Sequence, residues 1–349
     1  MLIRIAASFL LVFSLINLVA CTSNTPKYYV VSGPTMGTTY NIKFMLSETS
    51  AERTSPHELR NDVDDLLVDI NNLMSTYISE SELSKLNDAP AGVPFRISAE
   101  TQYVLSEAIK IGQLSNGMLD VTVGPVVNLW GFGPTKRPDK VPSQEKLNMI
   151  APYVGLDKFK INNGNVVKSH PEVYIDLSTI AKGYAVDRVA ELIESKGIRN
   201  YLVEIGGEMR VSGKKAGEKD WLIAVEKPVT NERAIQRVFS IGDNAVATSG
   251  DYRNYYEHDG IRYSHLIDPN TFSPIQHKVV SVTVVDKLSL RADGWSTALI
   301  VMGMEKGFAL AEELELAALF IVKDGDEFIE YPTSKFTERV TPLARNNES

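Results

Sequence analysis

The chain has 349 residues, 44% of them hydrophobic and 23% charged, enough apolar material for one large packed domain or two intimate lobes, and no low-complexity block is visible. A net charge of −8 disfavours nucleic acid as a partner, although a small anionic ligand needs only a locally positive site. The single cysteine, Cys21, excludes an internal disulfide and leaves the rest of the chain without a thiolate nucleophile.

Arg4 supplies a positive start, residues 5–19 are almost wholly apolar, and Leu18-Val19-Ala20-Cys21 closes the run with small residues ahead of the cysteine. The run is too short and too sharply ended for a spanning helix. It resembles a bacterial lipoprotein signal peptide over 1–20, which makes Cys21 the lipidated first residue and 21–27 a short tether; an ordinary secretory signal is the alternative. The expected location is outside the cytoplasm, anchored to a membrane by lipid. Thr22 stands where an aspartate would favour the inner membrane, so inner versus outer stays open.

The domain then spans 28–349. Alternating apolar residues predict strands at 28–31 and 40–45, joined through the turn-prone Ser32-Gly33-Pro34. Helical periodicity follows over about 57–74 and 99–114, and most clearly over 180–197, where Gly197 is a natural stop. Strands are predicted at about 200–211, 220–226, 236–248, 261–267, 279–286 and 316–322, with a helix over 289–304. Helices and strands cluster without a βαβ alternation, which favours an α+β fold.

No Walker-type phosphate loop, Rossmann glycine fingerprint, paired-cysteine site or His-Glu-x-x-His motif is present. Two stretches carry oxygen ligands instead. Asp293 and Thr297 in Asp293-Gly294-Trp295-Ser296-Thr297 are four apart, which on a helix puts both oxygens on one face and suits Mg²⁺; an aspartate capping free amides is the plainer reading. In Asp176-Leu177-Ser178-Thr179-Ile180-Ala181-Lys182, an aspartate ends an apolar strand and Lys182 opens a helix, where a pyrophosphate meets amides and an ammonium. Taken alone, Ser178 or Thr179 as a cap and Lys182 as a solvated charge explain it equally.

Both stretches resemble motifs of the ApbE family of FAD:protein FMN transferases. So do Thr35-Met36-Gly37-Thr38, Ser75-Thr76-Tyr77, Gly117-Met118-Leu119-Asp120-Val121-Thr122, Ala247-Thr248-Ser249-Gly250-Asp251-Tyr252 and Ser264-His265-Leu266-Ile267-Asp268-Pro269, in the order the family has them. The resemblance implies a single large domain of mixed or antiparallel sheets with flanking helices. It implies flavin-nucleotide contacts from Met36, Tyr77, Met118, Leu119, Asp120, Asp176, Lys182 and Ile267. Mg²⁺ is expected on Thr179, Asp293, Ser296 and Thr297, with His265 the base. Many relatives have Gly-Gly where this chain has Ser178-Thr179, so side-chain or backbone ligation at 179 is open. The implied reaction moves FMN from FAD to a threonine or serine hydroxyl of an exported or membrane flavoprotein, through an Asp-Gly-x-Thr/Ser-Gly-type segment, and releases AMP. Acceptors in the family include subunits of ion-pumping and electron-transport complexes. An FAD pyrophosphatase and a non-catalytic FAD-binding lipoprotein are the alternatives.

Overall fold

A computed structural model describes residues 26–133, 141–228, 234–252, 254–259 and 261–343. The expected signal peptide over 1–20 and Cys21 lie outside them. The main sheet has eight strands: β1 (Lys27–Thr35), β2 (Thr38–Leu46), β3 (Tyr201–Ile205), β4 (Glu208–Ser212), β5 (Ala245–Gly250), β6 (Val279–Asp286), β7 (Ala317–Asp324) and β8 (Glu327–Pro332). Each is hydrogen-bonded to its neighbour in sequence and every pair is antiparallel, so the sheet is a meander interrupted by insertions.

Four long helices cover one face: α1 (Pro56–Met74), α2 (Ala99–Leu114), α3 (Ala181–Ser195) and α4 (Ser289–Glu313). Their apolar stripes meet inward-facing strand residues such as Ile42, Phe44, Val203, Val282 and Phe320 in the larger core. On the other face Leu202, Val246, Leu319 and Ile321 join a second core under a three-stranded sheet of 341–342, 235–240 and 223–226. Burial on both faces explains why β6 reads as a nearly continuous apolar run rather than an alternating one. The result is the expected α+β architecture, with all described strand pairs antiparallel.

Several boundaries differ from the sequence reading. Ser32-Gly33-Pro34 is not a turn; it pairs with Asn41, Tyr40 and Thr39 inside the hairpin. Pro34 is tolerated because β1 is an edge strand, and the missing side chain of Gly33 makes room for the Tyr40 ring. The reversal falls at Met36-Gly37, whose φ values of 47° and 71° are those of a type I′ turn. The run 200–211 splits at Gly206-Gly207 (φ 59° and 105°) into the β3–β4 hairpin. The run 236–248 breaks around Gly242 into strand Ile235–Ser240 and β5, and 261–267 into Ile261–Ser264 and Ile267–Asp268. Helix α4 runs past 304 to Glu313 through a kink at Gly303, where φ is 76°.

Candidate active site

Residues from the β2–β3, β4–β5 and β5–β6 connections, from strands β2 to β5 and from helix α4 line a cleft of about 750 Å³. The ladder between β4 and β5 is only two pairs long, so Ala247–Gly250 have no partner on that side. The cleft opens there, with Thr248, Ser249 and Gly250 in its wall.

At its floor helices α3 and α4 cross at Gly183, where a Cβ would lie 2.4 Å from the Ser289 carbonyl oxygen. The close crossing lets each helix cap the other. Asp293 Oδ2 accepts from the Gly183 amide at 2.9 Å, and the Asp187 carboxylate accepts from the Ser289 and Leu290 amides, both at 3.0 Å. Neither helix start has a side-chain cap of its own. The reading of Asp293 as a cap thus holds for the neighbouring helix rather than its own, and the reading of Ser178 or Thr179 as the cap of α3 does not hold. Asp187 in turn holds Arg210 at 3.1 Å.

Lys182, one residue into α3, is not a free solvated charge. Its Nζ lies 2.8 Å from Glu208 Oε1 and 3.7 Å from Asp293 Oδ1. Burial opposes its charge, but the two carboxylates outweigh burial and hold its pKa above the ordinary lysine value. Asp293, only 3% exposed, is pushed up to about 7, chiefly by burial and then by Glu208, against the pull of Lys182. Two carboxylates share one ammonium here, and Glu208 Oε2 is buried without a hydrogen-bond partner. The locus therefore has room for additional positive charge.

Thr297 follows Asp293 by one helical turn and also lines the cleft, as does Thr179. Ser249 Oγ lies 3.1 Å from Thr297 Oγ1 and 2.8 Å from Ser296 Oγ. Ser296 does not line the cleft; its hydroxyl donates to the Asp293 carbonyl at 2.9 Å. Among the described residues no three His, Cys, Asp or Glu side chains cluster as a metal cage. Asp293, Thr297 and Thr179 supply oxygen only, and together with the surplus negative charge this set fits a hard divalent cation that keeps much of its shell from water and phosphate.

His265 follows strand Ile261–Ser264 and borders the same cleft. Its Nδ1 is 3.0 Å from the Asn254 carbonyl oxygen, which also accepts from the His265 amide. A carbonyl only accepts, so Nδ1 carries the proton and Nε2 is left with the lone pair. The ring edge meets Phe132, with centroids 6.3 Å apart.

The other predicted contacts fall as follows. Tyr77, Met118, Leu119, Asp120, Asp176 and Ile267 all line the cleft. Tyr77 is 72% exposed, an aromatic ring with one face available. Asp120 is buried and its Oδ1 accepts from the Thr122 amide at 2.7 Å and hydroxyl at 2.6 Å. Burial raises its pKa despite those bonds. Asp176 closes a turn on the Ser178 amide. The segment before it is extended but is not a ladder strand; Asn87 clamps Ile175 with its side-chain amide, donating at 2.9 Å and accepting at 2.7 Å. Met36 is not brought to the cleft, being the first residue of the hairpin turn and partly buried against the main core.

Residues 36–320 match the model of the ApbE family. The chain belongs to the ApbE family. A curated protein of Vibrio cholerae named FAD:protein FMN transferase is 49% identical over 323 residues, 93% of this chain and 96% of its own. One of the same name from Haemophilus influenzae is 45% identical over 327 residues, 92% and 94% of the two chains. The solved structure of flavin transferase ApbE from Vibrio cholerae superimposes with a TM-score of 0.84 at 47% identity, covering 90% of this chain and 99% of its own. The apo form of Pseudomonas stutzeri flavinyl transferase ApbE gives 0.83 at 38%, covering 90% and 97%.

Within this ApbE cleft, three contributors were missed in the sequence. Glu208 had no motif linking it to Lys182. Asn254 acts through its carbonyl, which every residue has. Ser249 was legible only as part of a polar loop, and it stands instead near the end of β5.

Proposed function

We propose that this chain transfers the FMN moiety of FAD to a threonine or serine hydroxyl of an exported or membrane flavoprotein. The observation that carries the reading is the pairing, in one cleft, of a histidine with its tautomer fixed and Nε2 free with an oxygen-lined, lysine-bearing anion locus. Nε2 of His265 takes the proton from the acceptor hydroxyl. The hydroxyl oxygen bonds to the FMN phosphorus, the bond from that phosphorus to the AMP-side oxygen breaks, and AMP leaves with the electron pair. The product is a phosphoester.

Asp293 and Thr297, with Thr179, would hold Mg²⁺, and Ser296 supports them from behind the cleft wall. A bound divalent cation supplies charge neutralisation on the pyrophosphate. Lys182 sets a positive charge beside that locus. Tyr77 offers its exposed ring for stacking, and Met118, Leu119, Asp120, Asp176 and Ile267 shape the rest of the nucleotide site. The anchor at Cys21 and a location outside the cytoplasm complete the reading.

The test incubates the chain with FAD, Mg²⁺ and an acceptor carrying the Asp-Gly-x-Thr-Gly segment, then measures intact acceptor mass and AMP. The expected result is an FMN-sized gain with equal AMP, both lost in His265→Ala. AMP and free FMN without adduct would instead mean a pyrophosphatase; intact bound FAD would mean a carrier.

A further inference from the structure

The carbonyl that prepares His265 belongs to a segment with no regular structure of its own. Asn254 lies between β5, which ends at Gly250, and the hairpin of Tyr255–His258 with Ile261–Ser264. Its oxygen accepts from both the amide and Nδ1 of His265, each at 3.0 Å. Two donors of one residue converge on one oxygen, so a displacement of Asn254 disturbs both bonds together. At the start of the segment the Asp251 amide donates to the Val280 carbonyl at 3.1 Å, which ties it to β6.

Arg262 braces the segment from the hairpin side. Its Nη2 donates to the Asp251 carbonyl at 2.8 Å and lies 3.6 Å from Asp251 Oδ1, and its guanidinium carbon is 4.1 Å from the centre of the Tyr255 ring. Tyr255 pairs with Ser264, two residues along from Arg262, so Arg262 and Tyr255 are diagonal neighbours on one face of the hairpin. The contacts thus reach both ends of the stretch 251–255 that carries the carbonyl, while Arg262 itself stands on the strand that leads into His265. A guanidinium suits the position because its flat face meets the ring while its edge still donates, which a compact ammonium does less well.

Gly250, Tyr252 and Asn254 line the cleft, whereas Asp251, Tyr255 and Arg262 do not, so the brace stands behind the cleft wall. From these contacts we infer that Arg262 is a positioning residue for the transfer: it holds the Asn254 carbonyl on Nδ1 of His265 and so keeps Nε2 free for the acceptor hydroxyl. The inference rests on the transferase reading, in which His265 is the base. No substitution deletes a main-chain carbonyl, but the placement of this one depends on a side chain that can be changed. Loosening the brace lets the proton move between the two ring nitrogens, and a ring protonated on Nε2 cannot take the proton of a hydroxyl there.

The test compares the full chain with Arg262→Met, which keeps a long stem without donors or charge, and with Arg262→Lys, which keeps the charge and can still donate to the Asp251 carbonyl. Histidines are labelled with nitrogen-15, the His265 signals are identified by their loss in His265→Gln, and the tautomer is read by proton–nitrogen correlation at mildly alkaline pH, where imidazoles are neutral. The starting chain is expected in the Nδ1–H form. In Arg262→Met His265 becomes a mixture of both tautomers, kcat for transfer falls on the order of 10- to 100-fold and KM for FAD changes little. Arg262→Lys recovers part of both losses. An unchanged tautomer in Arg262→Met overturns the inference whatever happens to the rate, since a loss of rate alone is what a merely structural role would give. Should Arg262→Met not fold, Tyr255→Leu removes one of the two contacts and carries the same comparison. Transfer by the starting chain with no tautomer change in the variants removes this inference and keeps the transferase; a tautomer change with no transfer by the starting chain keeps the brace and removes the transferase.

Discussion

His265 owes its tautomer to the Asn254 carbonyl, so no single side-chain substitution removes the bond that prepares the base. Burial holds the imidazole below the ordinary histidine value of 6.5, partly offset by that carbonyl and reinforced by the Lys182 charge. The neutral form is the active base, so the transfer rate rises with pH through a midpoint below 6.5 and is flat through neutrality. A rate–pH profile at saturating acceptor checks this. Lys182→Met removes a charge that disfavours imidazolium, and its acid limb moves to higher pH; a limb that stays in place refutes the coupling. The pairing of Asp293 with Thr297 was legible because spacing of four on a helix is a local property. Glu208, which makes the ammonium of Lys182 a bound one, was not, because its partner comes from another element 26 positions away.

Crossing helices carry much of the site's rigidity. An alanine at 183 would drive its Cβ into backbone atoms of Ser289 and Leu290, which cannot swing aside as a flexible side chain can. Gly183→Ala is expected to destabilise by about 1–3 kcal/mol, read as a lower urea midpoint. Asp187→Ala strands two amides of α4 and leaves Arg210 without its closest carboxylate, with an expected loss of about 3–5 kcal/mol. Asp187→Asn should recover part of it, since one oxygen still accepts. Helix α1 was readable because its apolar stripe is regular; the structure adds a Ser55–Glu58 capping box at its start. The strand breaks at Gly206-Gly207 and Gly242 were less legible, since apolar alternation continues on both sides of each turn. Ser32-Gly33-Pro34 misled for the converse reason: turn-forming residues are permitted on an edge strand, and which strand is an edge is a property of the whole sheet.

Across the whole molecule, the fold class followed from the absence of βαβ alternation, whereas the second core, the depth of the cleft and the contact of α3 with α4 depended on long-range packing that no window of sequence contains. One global property follows from the buried carboxylate of Asp293. Its folded pKa of about 7 lies above the unfolded value of 3.8, so between them the folded chain binds a proton that the unfolded chain does not. Stability from this group therefore falls as pH rises from about 4 to 7. Urea titrations in EDTA across that range should show the decline, and Asp293→Asn should flatten it. The meander order has a consequence for the chain as it is made. Hairpin β1–β2 leaves the ribosome complete, but the partner of β2 is β3, and residues 47–200 must be synthesised first. At about 5–20 residues per second that delay is on the order of ten seconds, during which β2 presents an open edge to any passing strand.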